Sequence, residues 1–236
     1  MKTIYLLCGL LCDEVVWQEQ ATALRATGDT EVRIFSFQQD DSIAAMAARV
    51  LRDAPAEFML AGHSMGGRVA LEVVRQSTLA PRGQQVQRLA LLDTGYEGAT
   101  PGEDARRAVL VERAHAEGIA AIASTWAMPM LAPAKRDEPA LVQAILDMVG
   151  RMSPAIYAAQ TRALLGRPDA TAMLAEITCP TLILCGAEDA WSPPERHRRM
   201  ATLIAGSVYT EVAASGHMST MEQADAVTQA LLEWAA

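Results

Sequence analysis

In Gly62-His63-Ser64-Met65-Gly66 a serine stands between two glycines, and the flanking residues say what it could do. Residues 58–61 are an apolar run that reads as a buried strand, and residues 68–74 carry a helical pattern. The spacing G-x-S-x-G between strand and helix is that of a nucleophile elbow, a sharp turn that lifts a serine hydroxyl above a sheet edge. Glycines are required because a side chain at either position would strike the neighbouring strand or helix in so tight a turn. The helix end beside Ser64 supplies backbone N–H groups and a positive dipole, which favour an oxyanion. The competing reading is an ordinary glycine-rich turn whose serine merely caps the helix.

A serine hydroxyl attacks carbonyls only with an imidazole to take its proton and a carboxylate to orient that imidazole. The chain has four histidines. His63 adjoins Ser64 on the same strand end, so its side chain is expected on the opposite side. His115 falls in a helical stretch and His197 on an arginine-rich helix face, where solvated side chains are the expectation. His217, in Ala214-Ser215-Gly216-His217-Met218, follows the last predicted strand in a glycine-containing loop, the place where a base belongs. Asp189 follows the strand TLILCG and is the leading acid, since serine, acid, histidine is the chain order that accompanies a nucleophile elbow. Glu188 should point the other way, and Asp93, ending its own strand, is the second choice.

Several elements must position these groups. Predicted strands cover residues 3–8, 31–35, 58–61, 87–93, 181–186 and 207–212. Helical patterns cover 15–26, a stretch capped by Asp41 or Ser42 and running to about 54, the elbow helix, 193–204 and 219–234. Between 97 and 167 strands vanish and four alanine-rich helical stretches follow, at 103–117, 119–126, 139–152 and 154–165, punctuated by Pro129, Pro133, Pro139 and Pro154. This predicts a parallel doubly wound sheet of about six strands in a core of residues 1–96 and 168–236, with a helical lid at 97–167. In such sheets ligands bind beyond the carboxyl ends of the strands, which is where Ser64, Asp189 and His217 fall.

The composition suits one α/β domain, with 236 residues, 51% of them hydrophobic. A net charge of −8 and a sequence pI near 5.0 argue against nucleic-acid or anionic-membrane partners, which need clustered cations. Lys2 and Lys135 are the only lysines, and Arg196, Arg198 and Arg199 form a local cluster read as a solvated helix face. The apolar start, MKTIYLLCGLLC, stops at Asp13-Glu14 without an A-x-A site and reads as a strand rather than a signal peptide. No apolar run approaches the length of a membrane span, so a soluble, cytoplasmic protein is expected. Cys8, Cys12, Cys179 and Cys185 lack metal-ligand spacing and read as reduced, mostly buried thiols.

GHSMGG, GAEDAWSPP and SGHMSTMEQ, taken with the strand order, closely resemble the α/β-hydrolase superfamily, and within it the small capped esterases, over nearly the whole chain. The resemblance implies oxyanion donors at the backbone N–H of Met65 and of Leu10. Leu10 follows Gly9, where the family usually has a His-Gly pair, and Cys8 stands in for that histidine. The first predicted strand corresponds to the family's third, so the leading antiparallel hairpin is missing and six strands are expected. The implied chemistry is acyl transfer to water without metal or cofactor, each oxyanion donor being worth on the order of 3 kcal/mol in the barrier.

In the lid, Trp126, Met128, Met130, Leu131, Met148, Met152 and Tyr157 divide between packing and a pocket over Ser64. Leu11, Trp126, Met128, Met130, Met152, Tyr157, Trp191 and Met218 are the expected pocket residues, for a small or medium apolar ester. Lactonases, thioesterases, amidases, carbon–carbon bond hydrolases and perhydrolases in this superfamily use the same triad and remain open. So do a lidded small-ligand receptor and a structural partner protein. Oligomeric state is not encoded in any of these features.

Overall fold

Strands whose two faces are both covered must be apolar throughout, and that is how the central strands read. The computed structural model describes residues 1–79 and 85–236. β1 (Lys2–Leu7), β2 (Thr30–Phe35), β3 (Glu57–His63), β4 (Gln85–Leu92), β5 (Thr181–Gly186) and β6 (Val208–Val212) form one sheet in the order β2-β1-β3-β4-β5-β6, with every pairing parallel. All of β5 and the last four residues of β4 are buried. The edge strands β2 and β6 are partly exposed.

The helices are α1 (Gln18–Ala26), α2 (Ile43–Arg52), α3 (Met65–Leu79), α4 (Glu103–Glu117), α5 (Ile119–Ala127), α6 (Pro139–Gly150), α7 (Pro154–Leu165), α8 (Pro194–Leu203), α9 (Ser219–Glu222) and α10 (Ala224–Ala235). The chain moves outward from β1 to β2, then reverses past β1 to β3. Right-handed crossovers therefore put α1 on one face and α2 and α3 on the other, and the helices pack accordingly, α1 against α10 and α2 against α3. That reversal makes a crevice between the carboxyl ends of β1 and β3. The loop after β1 and the turn after β3 meet there.

Element ends fall within a few residues of those expected. Ser42, not Asp41, caps α2, its hydroxyl accepting from the Ala45 N–H at 3.2 Å. The first helical stretch opens as a 3-10 turn over Glu14–Trp17 capped by Asp13. The final stretch is broken at Gln223, which separates α9 from α10. Residues 97–167 carry α4 to α7 and no strand. No helix among the described residues is long and apolar enough to cross a membrane.

Candidate functional site

The turn after β3 is built by what it excludes. A Cβ on Gly62 would collide with the Gly66 carbonyl, and one on Gly66 with the Leu7 carbonyl of β1. Ser64 itself holds φ at 55°, the left-handed region, which costs a non-glycine residue roughly 1–3 kcal/mol. The turn is held in that form by three hydrogen bonds. The Ser64 N–H donates to the Leu92 carbonyl (2.9 Å), and the Ser64 carbonyl accepts from the Gly67 N–H (3.0 Å) and the Thr94 hydroxyl (2.6 Å).

His217 reaches this serine across 153 residues of sequence. Its Nε2 lies 2.8 Å from Ser64 Oγ and its Nδ1 2.8 Å from Asp189 Oδ2. The other Asp189 oxygen accepts the N–H groups of Trp191 and Ser192, both at 2.8 Å. Burial works to raise the Asp189 pKa, but the charge and hydrogen bond of His217, with those two N–H donors, hold it below the ordinary aspartate value. For His217 burial works to lower the pKa; Asp189 beside it, then Asp93 and Glu222, outweigh burial and leave it raised. A carboxylate that stays ionised against an imidazole of raised basicity is the electrostatic condition for general-base work.

Asp93 does not reach His217. Its carboxylate accepts from the Gly186 N–H (2.9 Å) and the Ser219 hydroxyl, knitting β4, β5 and the histidine loop together. Burial first, then the nearby Asp189 charge, push its pKa well above the ordinary value. Glu188 is exposed, as expected.

Two histidines differ from their expectation. The His63 ring does not point away: its Nε2 donates to the His217 carbonyl at 2.8 Å, and the two rings lie 5.6 Å apart. His197 is fully buried, not solvated; its Nε2 accepts the Thr94 N–H at 2.9 Å and its Nδ1 faces the Pro193 carbonyl at 3.2 Å. The helix face that looked arginine-rich is amphipathic, and His197 is on its inner side. Burial holds both histidines neutral, with pKa values lowered to about 4.

Leu10 and Met65 flank the serine from the two sides of the crevice. Neither backbone N–H donates to an acceptor among the described residues, and both residues line the cavity. The next N–H, that of Leu11, donates instead to Gln160 Oε1 (2.8 Å), while Gln160 Nε2 donates to the Phe37 carbonyl (2.7 Å). Cys8 donates its thiol hydrogen to the Asp13 carbonyl at 3.3 Å, across the loop that carries Leu10.

The cavity holds about 560 Å³, ample for a small molecule. Trp126, Met130, Tyr157, Trp191 and Met218 line it as expected. Leu11, Met128 and Met152 do not: Leu11 and Met152 are buried in the packing, and Met128 is half-buried against the core. Leu131 and Met148 are likewise core residues. The lining also departs from a purely apolar one, because Arg68, Arg106, Arg107, Arg167 and Arg196 stand round it with Glu97 and Glu103.

Glu222 escaped sequence reasoning. Its buried carboxylate accepts the N–H groups of Gly216 (3.0 Å) and Met218 (3.0 Å), on either side of His217, and of Ala132 (2.8 Å). Its one signal was a glutamate five residues after the histidine, too common a pattern to single out. No group of three or more His, Cys, Asp or Glu among the described residues could hold a metal ion.

A serine on a strained strand-to-helix turn, with histidine and acid on the loops after β6 and β5, sits on an α/β-hydrolase fold. The chain belongs to the alpha/beta hydrolase family, whose model matches residues 15–230. By structure it is similar to an esterase from Thermogutta terrifontis with malate bound, at 28% identity over 99% of this chain and 89% of that one, TM-score 0.85. It is also similar to the enol-lactonase from Burkholderia xenovorans LB400 (24% identity, 99% and 90%, TM-score 0.84). A bromoperoxidase from Bacillus anthracis shares the fold (16% identity, 99% and 91%, TM-score 0.80). A comparison by sequence with curated proteins gives no significant match.

Proposed function

We propose that the chain is a serine hydrolase of small or medium carboxylic esters, working through an acyl-enzyme. The observation that carries this reading is the unbroken line from Ser64 Oγ through His217 to Asp189, 2.8 Å at each step. His217 takes the Ser64 proton as the hydroxyl attacks the ester carbonyl. The N–H groups of Leu10 and Met65 hold the oxyanion, and His217 then protonates the leaving alcohol. Water, deprotonated by the same imidazole, releases the acid and restores the serine. Asp189 keeps Nδ1 of His217 protonated and stabilises its cation. Residues 97–167 act as a cap whose Trp126, Met130 and Tyr157 close the cavity over Ser64. The 28% identity to an esterase favours ester chemistry among the reactions this site can support. The four unpaired thiols suit a reducing compartment, the cytoplasm.

Hydrolysis of 4-nitrophenyl esters from acetate to octanoate, with Ser64→Ala and His217→Ala beside the wild type, tests the reading. We expect turnover in the wild type and a fall of at least about 10³-fold in either variant. An inactive wild type, or an active Ser64→Ala, would overturn it and bring the ligand-receptor reading forward.

A further inference from the structure

We propose that the arginine-lined side of the cavity is a carboxylate subsite with Arg68 as its principal cation, and that the substrate is therefore an ester bearing a free carboxylate. The subsite stands on its own geometry; the identity of the substrate rests on the hydrolase reading above.

Arg68 stands in the first turn of α3, four residues after Ser64, and both side chains line the same cavity. Its Nη1 donates to the Glu97 carbonyl at 2.7 Å, and its remaining N–H groups have no acceptor among the described residues. Gly95 makes the room: a Cβ there would stand 2.6 Å from Arg68 Nη2 and 3.2 Å from the Arg196 side chain. Two arginine side chains are thus brought together over a bare backbone.

The local acids are already engaged. Glu103 accepts from Arg107 (2.8 Å), Arg167 (2.8 Å) and the Thr100 N–H (3.1 Å), while the Glu97 carboxylate lies 3.2 Å from Arg196. Arg68 and Arg106 are left with neutral acceptors, the Glu97 carbonyl and the Thr100 hydroxyl. Burial, then the charges of Arg167 and Arg196, lower the Arg68 pKa to about 9. Cations gathered in a sheltered site at such a cost are stabilised by an incoming anion. The planar fork of a guanidinium matches a carboxylate with two parallel hydrogen bonds. Trp126 also lines the cavity, and its buried indole N–H has no acceptor among the described residues. It is a second donor suited to a substrate oxygen.

The test has two parts. Binding of adipate, dimethyl adipate and inorganic phosphate to Ser64→Ala is measured by calorimetry, with Arg68→Met and the exposed Arg106→Met added in turn. Turnover is measured on two matched pairs. In 4-nitrophenyl hemiadipate against 4-nitrophenyl hexanoate the carboxylate is on the acyl side; in 4-carboxyphenyl hexanoate against phenyl hexanoate it is on the leaving group.

Adipate should bind about tenfold or more tightly than its dimethyl ester, losing about tenfold in Arg68→Met and less in Arg106→Met. At least one acid ester should lead its neutral partner about tenfold in kcat/KM, with that ratio collapsing in Arg68→Met and shrinking less in Arg106→Met. No preference for adipate, a preference indifferent to both arginines, or phosphate binding as well as adipate would overturn the subsite. If Arg68→Met does not fold, as judged by its circular dichroism, Arg68→Lys takes its place: it keeps the charge, loses the planar fork, and should still weaken adipate binding several-fold, an unchanged affinity overturning the subsite. Adipate binding through the arginines with no ester turned over would keep the subsite and remove the hydrolase reading. Turnover without any adipate preference would do the reverse.

Discussion

Asp189 fixes both the direction and the basicity of one imidazole. Because it raises the pKa of His217 above the ordinary histidine value of about 6.5, the imidazole is neutral only above that raised value, and under the proposed mechanism activity should appear only there. Asp189→Asn removes the main cause of the rise. Its acid limb in a kcat/KM profile against pH should move to lower pH, while kcat falls roughly 10³–10⁴-fold. An unmoved limb would mean that another group titrates. At this scale the sequence was legible where chemistry dictates order: Ser64, Asp189 and His217 each follow a strand end and arrive in the sequence an elbow requires. It was silent on Arg68, Gln160 and Glu222, whose roles exist only through partners up to 149 residues away. His63 and His197 were misread because periodicity assigns a face, not the depth of a side chain within it.

Among the elements, α7 is tied to the loops that follow β1 and β2. Gln160, fully buried, bridges the Leu11 N–H and the Phe37 carbonyl, the backbone groups beyond the ends of β1 and β2. Gln160→Leu keeps the volume but orphans both, at about 1–3 kcal/mol each. Thermal unfolding should show a loss of about 2–6 kcal/mol, and ester turnover should fall as the neighbouring Leu10 N–H loses its register. Unchanged kcat beside lowered stability would place Leu10 outside the oxyanion site. Strand and helix positions were readable in advance because parallel strands buried on both faces leave continuous apolar runs, and prolines mark α6 and α7. The 3-10 opening before α1 and the break at Gln223 were not, since local hydrogen bonds to Asp13 and tertiary packing decide them.

For the whole molecule, two buried neutral histidines set a limit on the acid side. His63 and His197 have pKa values lowered to about 4 in the fold, against about 6.5 when unfolded. A lowered histidine pKa stabilises the fold fully above pH 6.5, and that contribution is lost as pH falls from 6.5 through 4, up to about 3 kcal/mol for each group. Gln at position 197 can accept the Thr94 N–H and donate to the Pro193 carbonyl without titrating. Between pH 6.5 and 4, the Tm of His197→Gln should therefore fall less steeply than that of the wild type, by roughly 6–12 °C over the interval. Parallel slopes would sink the assignment. Charge has a second reading at this scale. A chain of net charge −8 concentrates five arginines round one cavity, so an anionic substrate would meet attraction only at close range, and added salt should weaken its kcat/KM more than that of a neutral ester. The bonds of Glu222 have a mechanical meaning. One carboxylate grips Ala132, in the segment between α5 and α6, and both flanks of His217, while the His217 N–H is itself anchored on the Met130 carbonyl. The segment at 130–132 and the His217 loop are thus a single part. Prying up residues 130–132 would disturb the imidazole in the same movement, whereas the Trp191 side chain, exposed where it lines the cavity, carries no such tie among the described residues.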